Sequence, residues 1–208
     1  MRTLPRFDRL PAEKQHRILN VAADEFIEHG FAKASLNRII ERAEISKGSM
    51  YYYFHDKTHL YVAVVDRLLM DVVEEQLLPD LTQLTTTNFW DRFAEHMGQM
   101  AAHWRKHPRV LALAKTLQPL RHLDDRAPFA ELFDRTRHWL RQIFEAGQEL
   151  GVLRQDLPLE LMMTLWTAVD ECLDSHGIDR WESMSEDEQE AFVGQGWDLF
   201  RRMFEARS

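Results

Sequence analysis

Ser35–Lys57, SLNRIIERAEISKGSMYYYFHDK, constrains this chain more than any other stretch, because it asks for a helix too short to stand alone. Leu36, Ile39, Ile40 and Ala43 recur at i, i+3, i+4 and i+7, which gives a first helix one apolar face. Ser35 stands where its hydroxyl can cap that helix. Ser46 can cap a second, Lys47 to about Tyr53, well below the ~12–15 residues an isolated helix needs in water. Neighbours must therefore hold it, and Met50 and Phe54 are expected to do so by packing into the core beside Ile45. The rest of its surface is small and polar first (Lys47, Gly48, Ser49), then aromatic (Tyr51, Tyr52, Tyr53). Two helices joined by a tight turn, the second offering such residues from its N-terminal end, suit insertion into the DNA major groove.

The surrounding chain reads as helices throughout. Pro11 sits where a first helical position tolerates proline, and Ile18, Leu19, Ala22, Ala23, Phe26 and Ile27 make a wide apolar stripe that runs to His29. Gly30 is expected to end that helix as a left-handed cap, with Phe31 folding back on Phe26. Before it, Arg2, Arg6 and Arg9 alternate with Leu4, Phe7 and Leu10, a basic lead-in that reads as a partly ordered tail rather than a DNA-contacting arm. Asp56 is placed to cap a helix from Lys57 to about Leu77, and Asn88 one from Phe89 to His107 that Pro108 ends. A shorter helix follows from Arg109 to about Leu117, then a loop over 119–128. Further helices are expected over Ala127–Leu150, about Leu157–Ser175 and Ser185–Ala206. No segment shows sustained period-2 alternation, so no strand is predicted; the fold class is all-α.

Bulk properties exclude several classes. A composition 45% hydrophobic and 29% charged is that of a globular protein. No apolar run approaches the ~18 residues of a membrane span. MRTLPRFDRLPAEKQ lacks an apolar core behind its basic residues, so no secretory signal is expected. The single cysteine, Cys172, allows no internal disulfide, and a reduced cytoplasmic setting is the simplest expectation. The net charge of −8 is unevenly spread: residues 1–60 carry ten Lys/Arg against eight Asp/Glu, while 170–190 carry nine acids and one arginine. An acidic body can coexist with a DNA-binding module, because screening confines charge effects to about 10 Å at 0.1 M salt.

ILNVAADEFIEHGF, the Ser35–Ala43 helix, ISKGSMYYYF and HDKTHL together resemble the tetracycline-repressor (TetR) family of bacterial transcription regulators. The coincidence of Gly30-Phe31, the Ser46-x-Gly48-x-x-Tyr51 spacing and the Phe54-x-x-Lys57-x-x-Leu60 tail carries the likeness. Glu44 departs from it, standing where the family has glycine; at positive φ it pays a backbone cost that glycine avoids. The resemblance implies a helix-turn-helix DNA-binding domain over 12–72, with the motif at 35–54, and a larger helical domain over 73–208 that binds an effector and dimerises. Residue by residue, it implies that Ser35, Asn37 and Arg38 contact the DNA backbone. Ser46, Lys47 and Gly48 would open the recognition helix, Ser49 and Tyr52 reach base edges, Tyr51 meet a phosphate, sugar or thymine methyl, and Lys57 meet a phosphate. The implied partners are a double-stranded DNA operator of palindromic form, a hydrophobic small-molecule effector, and a second copy of the chain bound through the last two helices.

Met97, Met100, Trp104, Trp139, Met162 and Trp166 are candidates for the effector pocket, since methionine and aromatic rings adapt to apolar ligands. Leu161, Leu165, Trp166, Val169 and Leu173 face one way on their helix, and Phe192, Val193, Leu199, Phe200, Met203 and Phe204 another on theirs. Both stripes are more than one protomer is expected to bury. Gly194 and Gly196 inside the last helix point to close helix approach. His96, His103 and His107 share a helix face, but no glutamate follows His103 as in H-E-x-x-H, and no metal site is predicted. Asp124, Asp125 and His122 read as loop residues. No phosphate-cradling glycine loop or nucleophile–base pattern is present, so no catalytic residue and no cofactor are expected. The reading is a ligand-responsive DNA-binding regulator acting as a repressor. The rival is a helical enzyme or ligand carrier that uses the N-terminal helices only as scaffold.

Overall fold

The computed structural model describes residues 5–67, 80–121, 129–177 and 180–206. Helices account for almost all of them: α1 (Pro5–Asp8), α2 (Ala12–Lys33), α3 (Leu36–Arg42), α4 (Lys47–Tyr53), α5 (Lys57–Val65), α6 (Phe89–Lys106), α7 (Pro108–Lys115), α8 (Gln118–Arg121), α9 (Ala130–Glu149), α10 (Leu159–Gly177) and α11 (Glu186–Phe204). Among the described residues there is no strand; Leu153 and Glu205 form one isolated antiparallel bridge. No described helix is long and apolar enough to cross a membrane.

Local chemistry sets most boundaries. Ser35, Ser46 and Asp56 each accept a hydrogen bond from the backbone N–H three residues on, capping α3, α4 and α5. Ser185 and Glu188 form a reciprocal capping box at the start of α11. Gly30 lies at φ +68° and breaks the regularity of α2, which resumes for its last residues through Lys33. Phe31 does fold back on Phe26, with ring centroids 6.3 Å apart. Three expectations change. Asn88 does not cap α6; its side-chain oxygen accepts from the Thr85 N–H at 2.7 Å, closing the preceding turn. Pro108 opens α7 instead of merely ending α6, as its missing N–H permits at a first helical position. Gln118–Arg121 is helical, so residues 119–121 are helix where loop was expected. The predicted extension of α5 to Leu77, the 72/73 boundary, His122, Asp124, Asp125 and residues 127–128 lie outside the described residues.

Packing divides the chain into two compact bodies. Residues 5–67 with 108–121 and 129–132 form the N-terminal body; 80–107 with 133–177 and 180–206 form the C-terminal body. In the first, α2 packs on α3, α5 and α7, while α1 and α3 pack on α4. α5 is buried from His59 to Val65, which explains why Leu60–Val65 is apolar on every side. Arg109 ties α7 to α2, donating to Asn20 Oδ1 at 2.8 Å and Asp24 Oδ1 at 2.8 Å. Tyr61 is buried between Phe26 and Phe129, and its hydroxyl meets Thr116 Oγ1 at 2.7 Å. In the second body, Phe93, Phe144, Trp166, Phe200 and Phe204 form an aromatic core in which Trp166 stacks on Phe200 at 3.9 Å.

Candidate DNA-binding surface

The second helix of the pair is held as its length requires. Met50 and Tyr53 are buried beneath α4, and Phe54 is buried just beyond it. Phe7 of α1 closes over them, its ring 4.9 Å from Phe54 and 6.0 Å from Tyr53. Ser46 Oγ accepts from the Ser49 N–H at 3.0 Å and lies 2.9 Å from Ser49 Oγ. What remains outward on α4 is Lys47, Gly48, Tyr51 and Tyr52, with Ser49 half-buried. The two tyrosines keep 48% and 51% of their surface, a large exposure for aromatic rings. Tyr53 is core. Asn37 is exposed on α3. Between the helices Glu44 does sit at φ +53°, the left-handed region that favours glycine, and it is the positive-φ non-glycine residue among those described. Its carboxylate reaches Arg17 at 3.1 Å.

Two expected contact residues are committed elsewhere. Arg38 lies against Glu25, a fully buried carboxylate on α2: its Nε donates at 2.8 and 3.1 Å, and the terminal nitrogen donates as well. The Ser35 N–H donates to the same carboxylate at 2.8 Å. Burial alone would push the Glu25 carboxyl up, but the bonds from Arg38 and Ser35 and the charges of Arg38 and His29 outweigh it and hold the group below its usual range. Glu25 was not singled out from sequence, because an acid inside an apolar stripe looks like the stripe's edge until its partners on α3 are known. Lys57, expected at a phosphate, turns its ammonium back on the carbonyls of Ala32 (3.0 Å) and Ala34 (3.2 Å) and over the Phe31 ring (4.9 Å). Two of its three donors thus close the turn between α2 and α3. From Pro5 on, the lead-in read as a tail is ordered: Gln15 Nε2 donates to the carbonyls of Asp8 (3.1 Å) and Leu10 (2.8 Å), and the Arg6 guanidinium lies 4.4 Å from the Tyr52 ring centroid.

This geometry coincides with a family pattern: residues 18–64 match the sequence model described as bacterial regulatory proteins, tetR family. The chain is 24% identical over 157 residues to the "Probable acrEF/envCD operon repressor" of Escherichia coli strain K12, covering 73% of this chain and 70% of that one. It is 25% identical over 162 residues to the HTH-type transcriptional repressor SCO4008 of Streptomyces coelicolor, covering 76% and 77%. Residues 18–64 are a TetR-family domain. The chain is a DNA-binding transcriptional regulator, all-α, with an N-terminal helix-turn-helix domain and a larger helical C-terminal domain. Its fold is also that of the regulator FadR from Bacillus subtilis, solved in complex with stearoyl-CoA (TM-score 0.70, 14% identity, 88% of this chain and 96% of that one).

The C-terminal body holds an apolar cleft lined by Trp90, Phe93, Phe144, Trp166, Trp197 and Phe204 among others. Its free volume of about 10 Å³ admits no more than one water. Of the six residues expected to form an effector pocket, Trp166 lines this cleft. Met162 is buried in the same core, and Trp139 touches its edge through Phe93, 6.4 Å away. Trp104 packs instead on Trp181, and Met97 and Met100 are half-buried outside the lining. Trp90, Phe93 and Trp197 escaped the sequence reading, although Phe89, Trp90 and Phe93 mark the inward stripe of α6. The histidines do not converge: His96 packs on Trp139, whereas His103 and His107 lie together with ring centroids 4.3 Å apart. Most of the α10 and α11 stripes find partners within the protomer, as the Trp166–Phe200 stack illustrates; Leu161 and Leu199 stay 43% and 42% exposed. Gly196 admits Leu173 of α10 to within 3.2 Å of where a Cβ would lie, while Gly194 faces open space.

Proposed function

We propose that this chain is a homodimeric repressor whose α3–α4 unit binds a palindromic DNA operator and is released when an apolar small molecule occupies the C-terminal body. The observation that carries the DNA-binding half is the exposure of Tyr51 and Tyr52 on a helix whose other large residues, Met50 and Tyr53, are buried. Apolar ring surface left open beside Lys47 and Ser49 suits base edges, thymine methyls and phosphates together. In this reading Ser49 and Tyr52 reach bases. Ser35, Asn37, Lys47 and Tyr51 meet the backbone, Ser46 caps α4, and Gly48 permits close approach. Arg38 and Lys57 act mainly as braces that fix α3 and its entry turn, with their remaining donors free to meet phosphate.

Leu161 and Leu199 support a dimer through α10 and α11, because with the two tyrosines they are the exposed large hydrophobics among the described residues. The acyl-CoA bound by the FadR relative in fold supports an apolar effector. A ligand larger than a water must part the rings of the cleft. Coupling then follows if the parted arrangement and the DNA-bound arrangement exclude each other.

A gel-shift against the region upstream of the chain's own coding sequence tests the reading. Tyr52→Ala is expected to relax sequence preference by about 1–3 kcal/mol at the base it reads. Lys47→Ala is expected to weaken all sequences alike and to flatten the salt slope by about one. A protein with no salt-dependent DNA binding would instead match the enzyme or carrier reading.

A further inference from the structure

The geometry points to a DNA contact outside the family-matched residues 18–64: Arg6, stacked on Tyr52, binds a phosphate and positions Tyr52 for base reading. The inference rests on the proposed DNA-binding function of α4.

Three observations converge on it. First, α1 is anchored. Phe7 is 1% exposed and packs its ring on Tyr53 and Phe54, so the segment before α2 is part of the core under the recognition helix. Gln15 fixes its far end by donating to the Asp8 and Leu10 carbonyls. Second, Arg6 shares an exposed surface with Tyr52, its guanidinium carbon 4.4 Å from a ring that keeps 51% of its area open. A guanidinium held over an aromatic face meets no acceptor there, so its N–H donors are left to grip a phosphate. Third, no carboxylate among the described residues forms an ion pair with Arg6, in contrast to Arg17, Arg38 and Arg109 on neighbouring elements. Its charge is thus available to DNA, and the stack restricts the Tyr52 side chain before DNA arrives, which lowers the ordering cost of binding.

The test uses the full-length protein, a duplex selected by the wild type from a randomised library, and a mixed-sequence duplex, with affinity measured across a salt series. Arg6→Gln is expected to weaken binding to the selected duplex about tenfold and to lower the slope of log affinity against log salt by about one on both duplexes. Arg6→Lys is expected to restore the slope, since the charge returns, but not the full preference for the selected duplex, since the guanidinium over the ring does not. The melting temperature of both variants should stay that of the wild type. An Arg6→Gln protein with unchanged slope and affinity, measured beside a Tyr52→Ala protein that loses its preference, overturns the role of Arg6 and leaves the proposed function standing. A wild type that selects no duplex overturns both.

Discussion

All four tyrosines lie in the N-terminal body, and all six tryptophans lie in the C-terminal body. The two bodies are held by different chemistry. The N-terminal body presents a surface and fixes it with directional bonds: three side-chain caps, a buried carboxylate that binds both the start of α3 and Arg38, and a lysine that closes a turn. The C-terminal body rests on stacked and edge-on rings, and it tolerates buried polar atoms without partners, among them Trp139 Nε1, Trp181 Nε1, His103 Nε2 and Gln189 Oε1. A surface that must match a DNA groove benefits from the first kind of construction. Under the proposed function the C-terminal body opens for an apolar guest, and the second kind suits that, because ring contacts re-form at other angles while a broken bond to a buried charge does not.

The contrast can be tested in order of expected effect. Trp166→Ala removes the ring stacked on Phe200 and edge-on to Phe144, and should destabilise the C-terminal body by about 3–5 kcal/mol in urea, read by the fluorescence of the remaining tryptophans. A loss below about 1 kcal/mol would mean that the aromatic stack is not what holds this body. Glu25→Gln keeps the shape but weakens the bonds to Arg38 and Ser35; a loss of about 2 kcal/mol is expected by circular dichroism. Tryptophan fluorescence distinguishes the bodies here, since every reporter lies outside the N-terminal one.

Acid should separate them as well. The Glu25 carboxyl is depressed in the folded chain, so its stabilisation is complete above the ordinary value of 4.5 and is lost as pH falls through the lower folded value. His103 is also depressed, by burial and by His107 and Lys106 beside it. There the unfolded chain takes up a proton near 6.5 before the folded chain does, so stability in the C-terminal body declines as pH falls below 6.5. Acid titration should therefore move the tryptophan signal before the tyrosine environment, and the reverse order would contradict the assignment. The smallest effect is at the turn. Glu44→Gly relieves the left-handed backbone at φ +53° and forfeits an exposed pair with Arg17, for a net gain of about 0.5–1 kcal/mol in thermal unfolding.

What could be read from sequence was what depends on spacing and local bonds. The short pair of helices, the caps at Ser35, Ser46 and Asp56 and the Gly30 break all follow from neighbours within four residues, while Glu44 drew notice only through the resemblance, which puts glycine at its place. The roles of Glu25, Lys57 and Phe7 were not legible because each is fixed by residues between 10 and 47 positions away: Ser35 and Arg38, Ala32 and Ala34, Tyr53 and Phe54. For the same reason the lining of the aromatic cleft eluded periodicity. An apolar stripe identifies which face turns inward, and Trp166 was found that way, but which rings border a void depends on how α6, α9, α10 and α11 close on one another.

Hydroxyl-radical footprinting of the wild-type protein on a duplex selected from a randomised library tests the central claim most directly. Two helix-turn-helix units on a two-fold axis should protect two inverted half-sites whose centres lie on one side of the duplex, one helical turn (about 34–36 Å) or a multiple of it apart. Tyr52→Ala should blur that protection across sequences, whereas Leu161→Glu with Leu199→Glu should reduce it to isolated half-sites. A wild type that protects no site, or a single half-site with no inverted partner, contradicts the account.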